Sequence, residues 1–255
     1  VAQSTSEDFA ADVLAAVELL KGRQDIDPQH IGLLGHSEGG YVAPMVAIQS
    51  QDIAMLILLA GPTMRGDEVI YSQQEKIMQV EGFSEDEIQK ALVTQHRYFE
   101  ALLSGDGWEE VKEEIRENIV EQVEALPEAQ KEALGDLDEY INTVHEQQIT
   151  SLESPWYRFF LQYDPVPALE KLTIPVLALF GGLDVQVLAE ENISLMEPAL
   201  EMAGNKDFSI VTYPQANHLF QKAETGSTSE YATLAKEFIP GMLDEIIAWI
   251  LARTE

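Results

Sequence analysis

The residues Gly35-His36-Ser37-Glu38-Gly39 place a serine between two glycines in a G-x-S-x-G spacing. A serine so placed suits nucleophilic attack when it stands on a tight turn between a strand and a helix. The turn holds its hydroxyl clear of the backbone, and the glycines let strand and helix cross closely. The flanks meet that requirement: the apolar run Ile31-Gly32-Leu33-Leu34 reads as a strand, and Tyr41 to Ser50 reads as a helix. A glycine-rich turn with an incidental serine is the plainer alternative, and it would not need those flanks. A phosphate cradle fails, because no Lys-Ser/Thr follows and the Glu38 carboxylate would face the phosphate.

A serine hydroxyl is a weak nucleophile until a base takes its proton, and a third group must hold that base in place. Of the five histidines, His30 precedes a strand, His36 lies inside the turn, and His96 and His145 fall in a helix-rich region. His218, in Pro214-Gln215-Ala216-Asn217-His218-Leu219-Phe220, directly follows the apolar strand Phe208 to Tyr213. Asp184, in Phe180-Gly181-Gly182-Leu183-Asp184, follows the strand Val176 to Phe180 and supplies the orienting carboxylate. An aspartate after a strand is often only a turn or cap residue. The chain order Ser37, Asp184, His218, at the ends of three separate strands, favours the catalytic reading. Asp207 precedes its strand and Asp164 precedes a proline, which makes both poorer candidates.

The elements that must position these groups can be read around them. Phe9, Ala10, Val13, Leu14, Val17 and Leu20 share one face of a helix over Ser6 to Lys21, with Thr5 or Ser6 to cap it and Gly22 after its end. A second buried strand runs from Met55 to Ala60. Helices alternating with apolar strands predict an α/β fold built on a mostly parallel sheet. From 64 to 154 the strands vanish, helical periodicity takes over, and 23 acidic residues stand against 7 basic ones. This stretch reads as a helical insertion, the core being residues 1–63 and 155–255. After it come a helix from Ala189 to Ala203 and a terminal helix from about Ser229 to Leu251, bent or broken at Pro240-Gly241.

Composition narrows the partners. With 255 residues, of which 45% are hydrophobic, the chain is large enough for one sizeable core. Its formal charge of -30 repels nucleic acid and anionic membrane surfaces, and suits a strongly hydrated, halophilic surface. The absence of cysteine excludes disulfides, thiolate metal sites and a cysteine nucleophile. No His, Asp and Glu cluster shows metal-ligand spacing, and the expected chemistry needs no metal or cofactor. Neither a membrane span nor a secretory leader is recognisable, and the Val1-Ala2-Gln3-Ser4 start is neither basic nor apolar, so a cytoplasmic chain is expected.

Gly-His-Ser-Glu-Gly-Gly, Gly-Gly-Leu-Asp-Val-Gln-Val and Asn-His-Leu-Phe resemble the triad segments of the α/β-hydrolase family, in its esterase and serine-aminopeptidase-like group. The resemblance implies acyl transfer through Ser37, with one oxyanion donor from the backbone N–H of Glu38, no cofactor, and residues 64–154 as a lid. It also implies about four strands and an oxyanion loop ahead of the first helix, which this sequence does not contain. The strand near Ile31 to Leu34 is therefore expected to present an unpaired edge, covered by an N-terminal partner or by a second copy in a homodimer. Trp156, Tyr157, Phe159, Phe160 and Tyr163 stand where the insertion rejoins the core. Trp156, Tyr157 and Phe160 are candidates to bind a short or medium acyl chain, and packing of insertion against body is the alternative for the whole cluster. A carboxylesterase acting on small esters is the leading expectation. A peptidase or acyltransferase shares its motifs, and a truncated, inactive hydrolase serving as a binding or assembly unit differs in class.

Overall fold

The computed structural model describes residues 3–254; Val1 and Ala2, part of the start weighed above, and Glu255 lie outside the described residues. Four strands form one parallel sheet in the order β1 (Gly32–His36), β2 (Met55–Leu59), β3 (Val176–Gly181), β4 (Phe208–Tyr213). Every residue of β2 and β3 is buried, as continuous apolar runs covered on both faces should be. β1 pairs with β2 alone among the described residues, and Leu34 on it is 56% exposed. The expected open edge is therefore present.

Helix α1 (Ser6–Lys21) starts where Asp8 accepts a hydrogen bond from the Thr5 backbone N–H at 2.7 Å, and Gly22 follows its end. Helix α2 (Gly39–Ala47) leaves the serine turn and packs on the sheet, and its Tyr41 is fully buried, with the phenol donating to the Met64 carbonyl at 2.6 Å. Between β2 and β3 the chain runs through α3 (Gly66–Glu81), α4 (Glu85–Ser104), α5 (Trp108–Glu124), α6 (Glu128–Leu134), α7 (Leu137–Leu152), α8 (Pro155–Gln162) and the short α9 (Val166–Leu169). Helix α5 shows why these helices associate. Trp108, Val111, Ile115, Ile119 and Val123 recur at three- and four-residue steps and are all buried, while the glutamates between them face outward.

Two hydrophobic cores result. One lies around the sheet, from Ala10 and Val17 to Phe180, Phe220 and Trp249; the other lies within the helices, around Phe99, Leu102, Trp108 and Ile115. α8 serves both, because Phe160 belongs to the first core and Leu161 to the second. Helix α10 (Ala189–Met202) follows β3, and helix α11 (Met242–Thr254) closes the described chain.

The terminal helix corrects the sequence reading. A helix from Ser229 was expected, but Thr228–Ala232 forms a single 3-10 turn, and regular helix starts only at Met242. Gly241 adopts φ +87, which a helix cannot continue through, and Pro240 brings no N–H to a helix. The stretch between is tied to the sheet side instead, with Ile239 N–H donating to the Phe220 carbonyl at 2.7 Å.

The seam between α3 and α8 is tight. A Cβ on Gly66 would lie 1.7 Å from the Phe160 carbonyl oxygen, and the Gly66 N–H donates to the Tyr163 carbonyl at 3.1 Å. Gly66→Ala is expected to destabilise the protein by about 1–3 kcal/mol through forced separation of the two helices. The urea midpoint measures this, and an unchanged midpoint would show that the helices do not approach so closely.

Candidate active site

The serine turn is built by backbone crowding. A Cβ on Gly35 would stand 2.0 Å from the Gly39 carbonyl oxygen, and one on Gly40 would stand 2.3 Å from Gly61 Cα. Strand β1, helix α2 and the end of β2 thus approach at distances that only glycine permits. Ser37, between them, adopts φ 55, a left-handed conformation uncommon for a residue with a side chain. Its N–H donates to the Leu59 carbonyl at 2.9 Å, and its carbonyl accepts from Gly40 at 2.7 Å. The next N–H, that of Glu38, has no hydrogen-bond partner among the described residues.

The structure brings the expected base and carboxylate together. His218 Nδ1 lies 2.8 Å from Asp184 Oδ2, and the two residues are 5% and 3% exposed. The other Asp184 oxygen accepts backbone N–H bonds from Gln186 at 2.8 Å and Val187 at 2.9 Å. This carboxylate is therefore fixed at both ends, and it presents a single oxygen to the imidazole. The His218 loop is clamped by buried Asn217, whose side-chain oxygen accepts from the N–H of Leu219 at 3.0 Å and of Gln221 at 2.9 Å. The Ser37 hydroxyl makes no hydrogen bond to His218 among the described residues, so two of the three expected members are joined directly. Such a link is often long without a substrate.

The other titratable candidates are engaged elsewhere. His30 pairs with Asp27 at 2.8 Å, His145 Nε2 lies 3.0 Å from the Lys112 carbonyl, and His96 stacks on Tyr71 at 3.7 Å. Asp207 accepts from Arg253 Nε at 3.0 Å, and Asp164 accepts from the Val166 N–H at 3.0 Å.

A cavity of about 200 Å³ opens at Ser37. Trp156, Tyr157 and Phe160 line it, whereas Phe159 and Tyr163 stack on one another at 5.5 Å and belong to the sheet-side packing. Burial pushes the Tyr157 phenol up to about 12, which keeps it neutral. Its other walls include Val69, Ile70 and Gln73 of α3, which were not singled out in the sequence, and Pro62, Gln186 and Val187, the last two known there only as part of the Asp184 segment. Helical periodicity marks Val69, Ile70 and Gln73 as one face, but nothing in the sequence says that this face looks at Ser37. Among the described residues no group of three His, Cys, Asp or Glu could hold a metal, and no helix is long and apolar enough to cross a membrane.

His36, inside the turn, also has a place. Its Nε2 lies 2.8 Å from the His218 carbonyl, and the two rings are 4.8 Å apart. Burial pushes the His36 pKa below the ordinary histidine value, although the bond to that carbonyl and the Asp184 charge pull the other way. A group that protonates less readily when folded lends stability above its unfolded value, near 6.5, and loses it as pH falls below that value. Urea midpoints from pH 8 to pH 5 should therefore fall more steeply for the unaltered protein than for His36→Gln. Parallel curves would show that His36 titrates as it does in the unfolded chain.

Comparison with known proteins agrees with this architecture. A family model described as the alpha/beta hydrolase family matches residues 3–225. The chain is similar to Esterase EstD of Thermotoga maritima, with 24% identity over 250 residues, covering 97% of this chain and 48% of that protein. It thus spans about half the length of that curated relative. Among solved structures, the esterase Pf2001 of Pyrococcus furiosus superposes with a TM-score of 0.50 at 13% identity, covering 98% of this chain and 63% of that one. A thermophilic esterase from Thermogutta terrifontis superposes with a TM-score of 0.47 at 20% identity, covering 99% and 74%. At 13% identity the likeness to Pf2001 bears on the fold alone.

Proposed function

The chain belongs to the alpha/beta hydrolase family, and from that premise we propose that it hydrolyses small carboxylic esters through an acyl-enzyme on Ser37. The observation that carries this reading is the buried 2.8 Å contact between His218 Nδ1 and Asp184 Oδ2, beside a serine held at φ 55.

Each residue has a role in the proposed reaction. Ser37 Oγ attacks the ester carbonyl carbon while His218 Nε2 takes the hydroxyl proton. Asp184, hydrogen-bonded to Nδ1, stabilises the imidazolium that forms. The carbonyl oxygen becomes an oxyanion and accepts a hydrogen bond from the Glu38 N–H; such a donor typically supplies about 3–4 kcal/mol of transition-state stabilisation. When the tetrahedral intermediate collapses, the C–O bond to the alcohol breaks and His218 returns its proton to the departing oxygen. A water then loses a proton to His218, attacks the acyl-enzyme, and releases the carboxylic acid and free Ser37.

The cavity at Ser37, at about 200 Å³, is smaller than sites for drug-sized ligands and suits a short to medium acyl chain. The helices α3 to α7, which lie between β2 and β3, act in this reading as the lid over the acyl group, and α8 after them supplies Trp156, Tyr157 and Phe160. A net charge of -30 disfavours anionic acyl donors, which leaves neutral or amine-bearing esters as the substrate class.

Hydrolysis of p-nitrophenyl acetate and butyrate by the 255-residue chain, at low and high salt, tests the reading. Turnover is expected, and Ser37→Ala should lower kcat by about four to six orders of magnitude. A Ser37→Ala protein as fast as the unaltered one would overturn the assignment of the nucleophile. No turnover at any salt would favour a binding or assembly unit instead.

A further inference from the structure

A second, larger cavity of about 750 Å³ lies between α1, α7, α8 and Glu38 of the serine turn. Phe9, Thr143, Glu146 and Thr150 are among its walls. It shares two wall residues with the 200 Å³ cavity at Ser37, and these are Glu38 and Trp156. The same two are hydrogen-bonded to each other: the indole N–H of Trp156 donates to Glu38 Oε1 at 2.7 Å. One hydrogen-bonded side-chain pair thus borders both the small and the large cavity.

That pair is fixed from both directions. Ser6 of α1, fully buried, donates its hydroxyl to the same Glu38 oxygen at 2.7 Å, which holds the carboxylate away from the nucleophile next to it. The Trp156 ring is supported within α8 by Phe160 at 5.6 Å and Tyr157 at 5.9 Å. A neutral N–H donating to a carboxylate is a strong but replaceable bond. We propose that the Trp156–Glu38 hydrogen bond is a partition that limits the length of the acyl chain accepted at Ser37, and that opening it joins the two cavities into one long acyl channel. This inference rests on the esterase reading and assigns that reading's specificity to one contact. Trp156 and Glu38 act here through the shape of the pocket, apart from the bond-making steps.

Chain-length profiles test the partition. p-Nitrophenyl esters from acetate to decanoate are assayed on the unaltered protein, on Trp156→Ala and Trp156→Phe, and on Ser6→Ala. The unaltered protein should favour butyrate or shorter chains. Each methylene that gains a buried seat is worth roughly fourfold in kcat/KM. Trp156→Ala should therefore raise the ratio of kcat/KM for decanoate over butyrate by at least about tenfold. Trp156→Phe, which loses the hydrogen bond and keeps a ring, should move the ratio part of the way. Ser6→Ala, which frees the carboxylate from its other anchor, should move it in the same direction.

An unmoved ratio in a Trp156→Ala protein that melts near the unaltered temperature would overturn the proposal. Should Trp156→Ala fail to fold, an unmoved ratio in both Trp156→Phe and Ser6→Ala would overturn it equally. An unaltered protein that already prefers decanoate would do the same. In each of these cases Ser37-dependent hydrolysis of butyrate leaves the esterase reading standing. If no ester is turned over at all, that reading fails first and the partition falls with it.

Discussion

The close crossing of backbones at the serine turn is the constraint on which the site depends. Gly35 meets the Gly39 carbonyl and Gly40 meets Gly61 at separations that exclude any side chain, so the end of β1, the start of α2 and the end of β2 are held in one fixed arrangement. Ser37 pays for this with a left-handed backbone, a conformation costing on the order of 1–3 kcal/mol. Its bond to the Leu59 carbonyl and the Gly40 bond to its own carbonyl offset that strain.

The partners of Ser37 come from loops after β3 and β4, and each loop is made rigid by local polar contacts. Asp184 is held by two backbone N–H groups of its own turn, and the His218 loop is gripped by Asn217 from within and by His36 from the turn itself. Two glycines after β3 permit this closeness: a Cβ at Gly181 or Gly182 would press within 3 Å of the backbone before His218. The loop that carries the aspartate is thus seated directly on the loop that carries the histidine. The orientation of the imidazole is a property of the sheet end as a whole.

Much of this was legible from residue types and spacing. β2 and β3 carry continuous apolar runs, and α1 has both its capping carboxylate and its terminal glycine. Ser37, Asp184 and His218 could be singled out as candidates because each follows a strand, and strand ends are recognisable. The terminal helix was misread because apolar residues persist at near-helical spacing through Ala232 and Phe238, although Pro240 and Gly241 stop the backbone from becoming helical until Met242. The face of α3 that looks on Ser37, and the pull of Ser6 on Glu38, were hidden because they depend on how separate elements dock. Pattern within one element carries no information on that. The five aromatics of the 156–163 stretch looked equivalent in sequence, and only their helical phase in α8 divides those facing the cavity from the stacked pair Phe159 and Tyr163.

The presence of two cores has a consequence for how the molecule comes apart. The sheet core and the helical core touch through little more than α8, with Phe160 in one and Leu161 in the other, and through Ile70, which packs against both. The helical part is thus joined to the sheet core across a narrow seam, and parts of a protein joined by few buried contacts are where local opening generally begins. The helical part carries most of the excess negative charge, with 23 acidic against 7 basic residues between 64 and 154. Self-repulsion among these charges reaches further as ionic strength falls, so salt bears more on these helices than on the sheet end with its glycine crossings and clamped loops.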